Sequence, residues 1–352
     1  MIEHLKKAQA LLKERALDAI FVTNMKNIRY ISGFTGSSAV LLVFADKAFL
    51  FTDFRYMEQA SEQAKHCEIV KHGNNIYSDI NDKLGFANKI GYEADYVTVS
   101  AFKRMMAEVQ GKEWIEVKLD PLRMIKDEKE IANIEKAVKI ADDAFATLLP
   151  EIKTGMTENE AAALLEFYMK KNGASGTSFS TIVASGKRSS LPHGMPTDKK
   201  IAEGDFVLFD FGAIYQGYCS DMTRTVVMGK ADEKQKEIYE IVLKAQMAAI
   251  SGIKPGITGL QGDALARNVI KEAGYAENFG HGTGHSLGLA IHEEPRLSPA
   301  CGTVLEAGML LTVEPGVYIA DWGGVRIEDL ILVTGDGIKI LTQTSKKLLE
   351  IQ

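Results

Sequence analysis

Five positions in this chain carry side chains that suit metal chemistry in surroundings that otherwise suit β-strands. They are Asp210, Asp221, His285, Glu314 and Glu328. Asp210 interrupts the apolar run Phe206-Val207-Leu208-Phe209-Asp210-Phe211, and Asp221 lies on the strand-like stretch that follows. His285 ends the string Gly280-His281-Gly282-Thr283-Gly284-His285. Glu314 stops the run Met309-Leu310-Leu311-Thr312-Val313, and Glu328 sits on the strand-like segment Val325-Arg326-Ile327-Glu328-Asp329-Leu330. A carboxylate buried in apolar sequence is costly unless a cation meets it. No matching set of lysines and arginines interrupts the same runs, which points to metal ions.

The chemistry follows from the donor set. Two aspartates and two glutamates carry four negative charges, which two divalent cations would neutralise. Oxygen donors with one imidazole suit Mn²⁺, Co²⁺ or Fe²⁺ better than a cysteine-rich structural zinc site does. Carboxylates bridge, so two ions about 3.5 Å apart could share a water and acidify it toward hydroxide. That is hydrolytic chemistry.

The elements that must position these residues can be read from the same sequence. Phe206–Val227 has the pattern of a β-hairpin. A turn centred on Tyr215-Gln216 would set Asp210 directly opposite Asp221, with both side chains on one face and Thr223 beside them. Gly280, Gly282 and Gly284 would let the backbone turn tightly and project His285 and His281 into the same space. Glu314, before Pro315-Gly316, falls at a strand end.

Ile152-Lys153-Thr154-Gly155-Met156-Thr157 recurs 101 residues later as Ile253-Lys254-Pro255-Gly256-Ile257-Thr258. Each copy launches an Ala/Leu-rich helix, and these helices end near Gly173 and Gly274. Thr157 and Glu160 have capping-box spacing. This repeat is read as a duplication, with the acidic residues divided two and two between the halves.

Upstream, residues 1–121 alternate helices and strands as an α/β domain with its own core: a helix over Glu3–Arg15, strands at Ala19–Val22, Ala39–Phe44, Ala48–Thr52 and Lys89–Glu93, and a helix over Ser100–Val109. The pattern breaks at Leu119-Asp120-Pro121. A long charged helix over Asp127–Leu149 then opens a second domain, 122–352. At 352 residues two domains are the natural expectation.

Composition narrows the function classes. With 46% hydrophobic and 25% charged residues the chain is an ordinary globular protein. A net charge of −6 disfavours non-specific binding to nucleic acid or anionic membrane. Cys67, Cys219 and Cys301 are odd in number and lack CxxC spacing, which fits a reducing compartment. The N-terminus reads as an amphipathic helix rather than a signal peptide, and no apolar run approaches the ~20 residues of a membrane span. A cytoplasmic protein is expected.

The order Asp, Asp, His, Glu, Glu resembles that of the dinuclear metallopeptidases with the "pita-bread" fold. Pro192-His193-Gly194, Asp210-Phe211-Gly212, Ser220-Asp221-Met222-Thr223-Arg224-Thr225, Gly280–His285, His292-Glu293, Val313-Glu314-Pro315-Gly316 and Val325–Asp329 are similar to the proline-specific branch, aminopeptidase P and prolidase. Tyr30-Ile31-Ser32-Gly33-Phe34 and Thr52-Asp53-Phe54-Arg55-Tyr56 are similar to the N-terminal domain of that branch, so the resemblance spans the chain. No metal position departs from the pattern.

The resemblance implies a creatinase-like α/β domain followed by a pita-bread α+β domain with pseudo-twofold halves. By residue, it implies that Asp210 and Asp221 hold one ion, His285 and Glu314 the other, and that Glu328 bridges. Glu314 would also shuttle a proton, and His292 would stabilise the oxyanion or the leaving nitrogen. His193, counted with the catalytic residues, and His281 would line a proline pocket, and Arg326 would bind the substrate carboxylate. Two ions are implied, Mn²⁺ first, with Co²⁺, Fe²⁺ or Zn²⁺ as alternatives. So are proline-containing peptides as substrates and a homodimer.

A metal-independent creatinase-like hydrolase or a non-catalytic homologue would share the fold, but the complete acidic set argues against both. Two look-alikes fall away. His292-Glu293-Glu294-Pro295-Arg296 is not HExxH, and the glycines at 280, 282 and 284 do not make GxGxxG. Asp53, Arg55 and Tyr56 read either as a strand-ending turn or as part of a neighbouring subunit's site. Cys219 reads as a buried core thiol.

Overall fold

A computed structural model describes residues 2–352. They form two compact units, the first ending at Arg123 and the second running from Met124 to Gln352.

The first unit is built on β1 (Ala19–Val22), β2 (Val40–Val43), β3 (Ala48–Thr52), β4 (Glu68–Lys71), β5 (Lys89–Tyr92) and β6 (Glu113–Glu116), in the order β4-β3-β2-β1-β5-β6. Every residue of β1 is buried, because this central strand has neighbours on both edges and packing on both faces. Helices α1 (Ile2–Glu14), α2 (Met25–Ser32), α3 (Met57–Gln63), α4 (Ile76–Leu84) and α5 (Val99–Glu108) complete it. Its core gathers Phe21, Leu42, Phe49, Phe51, Ile80 and Ile90. Asp53 caps the short 3₁₀ turn Phe54–Tyr56 and makes paired hydrogen bonds with Arg55, while Tyr56 meets Phe34 edge-on. That is a strand-ending turn with an aromatic anchor.

The second unit opens with α6 (Glu128–Leu148) and α7 (Glu158–Lys171). Strands β7 (Gly176–Thr177), β8 (Ile182–Ser185), β9 (Phe206–Phe211), β10 (Ala213–Tyr215), β11 (Tyr218–Cys219) and β12 (Met222–Met228) complete its first half. The second half repeats the plan: α8 (Glu233–Gly252) and α9 (Gly259–Glu272), then β13 (Gly284–Ser286), β14 (Glu293–Leu297), β15 (Leu310–Val313), β16 (Gly316–Ile319), β17 (Gly323–Arg326), β18 (Asp329–Val333) and β19 (Ile338–Ile340). A last strand, β20 (Glu350–Ile351), returns to pair with β12.

The duplication is visible in detail. Thr157 and Thr258 each cap a 14-residue helix through a full capping box. Each also makes an isolated antiparallel bridge, to Lys200 and Val304 respectively. Gly155 and Gly256 hold φ of 90° and 92° at the turn before each cap, a conformation that disfavours any Cβ. One core cluster gathers Phe145, Leu165, Phe209 and Phe211 of the first half, and a second gathers Val242, Ile270, Leu311 and Ile331 of the second half together with Phe206 and Val227 of the first.

The hairpin register differs from the sequence expectation. β9 and β12 pair Asp210 with Thr223, not with Asp221. The turn lies at Gln216-Gly217, where φ values of 45° and 73° make the primed turn that matches strand twist. Moving the turn by one residue shifts the pairing by two. A two-residue shift keeps the same face, so Asp210, Asp221 and Thr223 still share one side of the hairpin.

Candidate metal centre

Strand interruptions position the acidic residues. Asp210 is the penultimate residue of β9, just before the break at Gly212. Asp221, Glu314 and Glu328 lie in the breaks between β11 and β12, β15 and β16, and β17 and β18. Asp221 and Glu328 are thus not within strands, as their flanks suggested, but at bends where the ladder stops and a side chain can be re-aimed. The two halves contribute equivalently, each with an antiparallel pair, β9/β12 and β15/β18, bearing an acid beside the end of one strand and before the start of the other.

These bends converge. Carboxylate oxygens of Asp210, Asp221 and Glu328 lie within 4.8 Å of one another. His285 Nε2 stands 3.6 Å from Asp221 Oδ2 and 3.4 Å from Glu314 Oε1. His285 Nδ1 is hydrogen-bonded to the Ser286 carbonyl at 3.0 Å, so Nδ1 carries the proton and the Nε2 lone pair faces the acids. Thr312 Oγ1 donates to Glu314 Oε1 at 2.9 Å, and Thr223 Oγ1 donates to Glu328 Oε2 at 2.7 Å.

Gly282 and Gly284 act through close approach rather than tight turning, while a Cβ on Gly280 would meet nothing within 4 Å. Gly280, Gly282 and Gly284 are absent from the positive-φ glycines. A Cβ on Gly284 would lie 1.9 Å from the Thr312 carbonyl, and one on Gly212 would lie 1.9 Å from the Ser220 carbonyl. Only hydrogen lets these backbones meet beside the acids.

One cation is already present. Arg326, 3% exposed, places Nη2 2.5 Å from Asp210 Oδ2, Nη1 2.8 Å from Tyr318 Oη and 3.3 Å from the Pro192 carbonyl, and Nε 3.0 Å from Thr223 Oγ1. Each of its three guanidinium nitrogens donates at least one of these bonds. Tyr318, unmarked in the sequence reading, joins it to the far wall by meeting His281 Nε2 at 2.9 Å. Only its place at the paired strands β16/β17 identifies it, and that pairing is tertiary information.

A single arginine does not balance four acids. Burial, then Glu328, Asp210 and Glu314, push the Asp221 carboxyl well above its ordinary range. Burial with Glu314 and Asp210 does the same to Glu328, and burial raises Glu314. Burial lowers both His281 and His285, leaving neutral imidazoles. Asp210 Oδ1 and Glu328 Oε1 are buried with no hydrogen-bond partner among the described residues. Buried oxygens without donors, mutually repelling carboxylates and an imidazole lone pair aimed among them fit divalent metal ions.

The cluster lines a cavity of about 620 Å³. His193 and Met195 come to its wall from the first half, and His281, His292 and Arg296 from the second. His292 stands edge-on to His285 with ring centres 4.5 Å apart. Desolvation, then His285 and Arg296, lowers His292 to about 4, so it is neutral at pH 7. Arg296 escaped the sequence reading, because nothing marks an arginine on a strand. Unlike Arg326 it is about half exposed, and its ion pair is a 3.5 Å contact to Glu294. β14 carries Glu293–Leu297 as a strand, so the HExxH-like string is not helical.

Comparison with known proteins agrees with this geometry. The model for metallopeptidase family M24 matches residues 132–335, and that for the creatinase/prolidase N-terminal domain matches 4–125. An Xaa-Pro dipeptidase of Pyrococcus furiosus is 43% identical over 352 residues, covering 99% of this chain and 100% of its own. Among solved structures, an Xaa-Pro dipeptidase from Bacillus anthracis superimposes with a TM-score of 0.97 at 45% identity, covering 99% of both chains. An X-Pro aminopeptidase from Thermotoga maritima gives 0.90 at 38% identity, covering 96% of this chain and 99% of that one. The fold is therefore a creatinase-type domain followed by a pita-bread domain, and the chain belongs to metallopeptidase family M24, whose members work with divalent metal ions.

Proposed function

We propose that this chain is an Xaa-Pro dipeptidase in which Asp210, Asp221, His285, Glu314 and Glu328 hold two divalent ions, Mn²⁺ foremost. The observation that carries the reading is the convergence of all five side chains on one cavity whose walls present histidines and a half-exposed arginine. When bound, the ions supply the field that polarises a scissile carbonyl and acidifies water.

The chain's own residues supply the rest. A bond before proline is a tertiary amide with no N–H, so recognition has to rest on the ring, the termini and the carbonyl. His193 and His281 both line the cavity, one from each half, and together would flank the proline ring. Glu314 accepts a proton from the attacking water at Oε2 while Thr312 occupies Oε1. It returns that proton to the proline nitrogen as the carbon–nitrogen bond breaks and the new carbon–oxygen bond completes the acid. His292, neutral at pH 7, donates an N–H to the oxyanion as charge develops there.

Substrate length follows from the two arginines. Arg326 gives four of its five N–H groups to Thr223, Pro192, Tyr318 and Asp210, which leaves one on Nη2 for a substrate carboxylate. Arg296 is less committed, with its Nε facing Glu294 at 3.5 Å, and it lines the same cavity, so the carboxylate of a dipeptide, one residue from the scissile bond, has a second cation to meet. Hydrolysis of Ala-Pro and of Ala-Pro-Ala in the presence of Mn²⁺ tests this. Faster turnover of the dipeptide supports it, preference for the tripeptide reassigns the chain to aminopeptidase chemistry, and turnover of neither rejects the peptidase reading.

A further inference from the structure

Two carboxylate–arginine pairs lie outside the cluster, one in each half, and each grips the segment that carries one wall histidine. Glu158, fully buried at the start of α7, accepts hydrogen bonds at Oε1 from Ser185 N (2.7 Å) and Oγ (2.9 Å). At Oε2 it accepts from Thr197 N (3.1 Å) and Oγ1 (2.8 Å). One carboxylate thus ties both ends of residues 186–196, the loop that bears His193. Arg188 completes the clasp, with Nε 3.1 Å from Glu158 Oε2 and Nη2 donating to the Met195 carbonyl at 2.6 Å.

The second half has a counterpart on the equivalent helix. Asp263 of α9, 2% exposed, accepts at Oδ1 from Thr283 N and Oγ1, both at 2.9 Å. Arg267 binds the same carboxylate with two nitrogens at 2.6 and 2.9 Å. Its other bonds go to the carbonyls of Phe279 (3.1 Å) and His281 (2.7 Å), and its guanidinium lies over the Phe279 ring at 4.4 Å. Residues 279, 281 and 283 are held by one ion pair, which fixes the backbone on both sides of His281.

The clasps were not inherited residue for residue. Glu158 aligns with Gly259 in the repeat, and Asp263 lies a turn further along its helix. Yet in both the acid is buried and the arginine side chain is 29% exposed, so an outer cation closes over an inner anion. An ion pair on a helix flank needs only two partners. Glu158 takes backbone and hydroxyl donors from both ends of its loop, and the Asp263–Arg267 pair does the same jointly, the acid at Thr283 and the arginine at Phe279 and His281, which is the geometry of a fastening.

We propose that Glu158–Arg188 and Asp263–Arg267 are positioning pairs, each setting independently the wall of the substrate cavity that carries His193 or His281. The proposal rests on the Xaa-Pro reading for its kinetic arm and on geometry alone for its structural arm. Arg188→Lys and Arg267→Lys are the variants of choice, because lysine keeps the charge beside the buried acid but loses the planar fork that also reaches a loop carbonyl.

For Ala-Pro, each substitution is expected to raise KM about tenfold with kcat changed less than about twofold. Mn²⁺ affinity by calorimetry should stay within about twofold of the parent. In a cycle, Arg267→Lys should add nothing to His281→Ala yet keep its full effect on His193→Ala, with the reverse for Arg188→Lys. Equal effects in both backgrounds, or a loss of Mn²⁺ affinity matching the loss of activity, would overturn the proposal. Hydrogen exchange decides it without turnover. Arg267→Lys should speed exchange in 279–285 only and Arg188→Lys in 186–197 only, and loosening of both segments by either variant rejects independent clasps. If the parent does not hydrolyse Ala-Pro the substrate reading fails, and the exchange result still stands or falls by itself.

Discussion

Asp221 is 5% exposed, lies against Asp210 and Glu328, and carries a carboxyl that burial and its neighbours push well upward. Such a residue opposes folding when no cation is bound and supports it when one is. Asp221→Asn keeps the shape and removes the charge. It is expected to raise the stability of the metal-free protein by about 1 kcal/mol, and to abolish Mn²⁺ binding measured by calorimetry together with peptide hydrolysis. A variant that binds Mn²⁺ like the parent would remove Asp221 from the site. Arg296 makes the opposite kind of contribution, since its own ion pair is weak and half exposed and its removal costs the fold little. Arg296→Met should raise KM for Ala-Pro by about 10- to 100-fold through loss of a charge-assisted contact. The effect on Ala-Pro-Ala should be smaller, because its carboxylate lies a residue further away. Equal losses on both substrates would show that Arg296 does not read the terminus.

At the scale of the element, the hairpin that carries Asp210 and Asp221 is set by two residues at its tip. Gln216 takes φ of 45° ahead of Gly217 at 73°, the backbone of a primed turn that prefers Asn-Gly. Gln216→Asn should therefore stabilise the protein by about 0.5 kcal/mol, seen as a raised denaturant midpoint with unchanged m-value. A lower midpoint would mean that the turn is not what sets the register. The same turn shows where the sequence was legible. Apolar runs marked β9, β12 and β15, and Thr157, Glu160 and the flanking glycines marked the repeated helix starts, because these signals are local. The register was not legible, since Tyr215-Gln216 and Gln216-Gly217 both lie between matching strands and only the left-handed backbone separates them. The placement of Asp221 and Glu328 at strand breaks escaped for a related reason, as a bend in the ladder leaves no periodicity behind. Tyr318, Arg296 and the two clasps depend on contacts between segments far apart in the chain, and no local pattern encodes those.

Across the whole molecule, the five acidic and histidine positions belong to the second unit but to different halves of it. Asp210 and Asp221 follow from the first core, and His285, Glu314 and Glu328 from the second. Ions held by all five would add a link between the two duplicated halves, so metal binding should stabilise the unit beyond the site itself. At a free Mn²⁺ concentration 100 times Kd the linkage gain is about 2.7 kcal/mol. In a unit of this size that corresponds to a Tm increase of about 5–10 °C. Hydrogen exchange should slow at β9, β12, β15 and β18 together, because release of either half now requires release of the ions. Residues 2–123 contain none of the five and should keep their exchange rates. Protection confined to one half would mean that the ions are held by that half alone. Equal protection of the first unit would mean that Mn²⁺ acts on the chain through something other than this site.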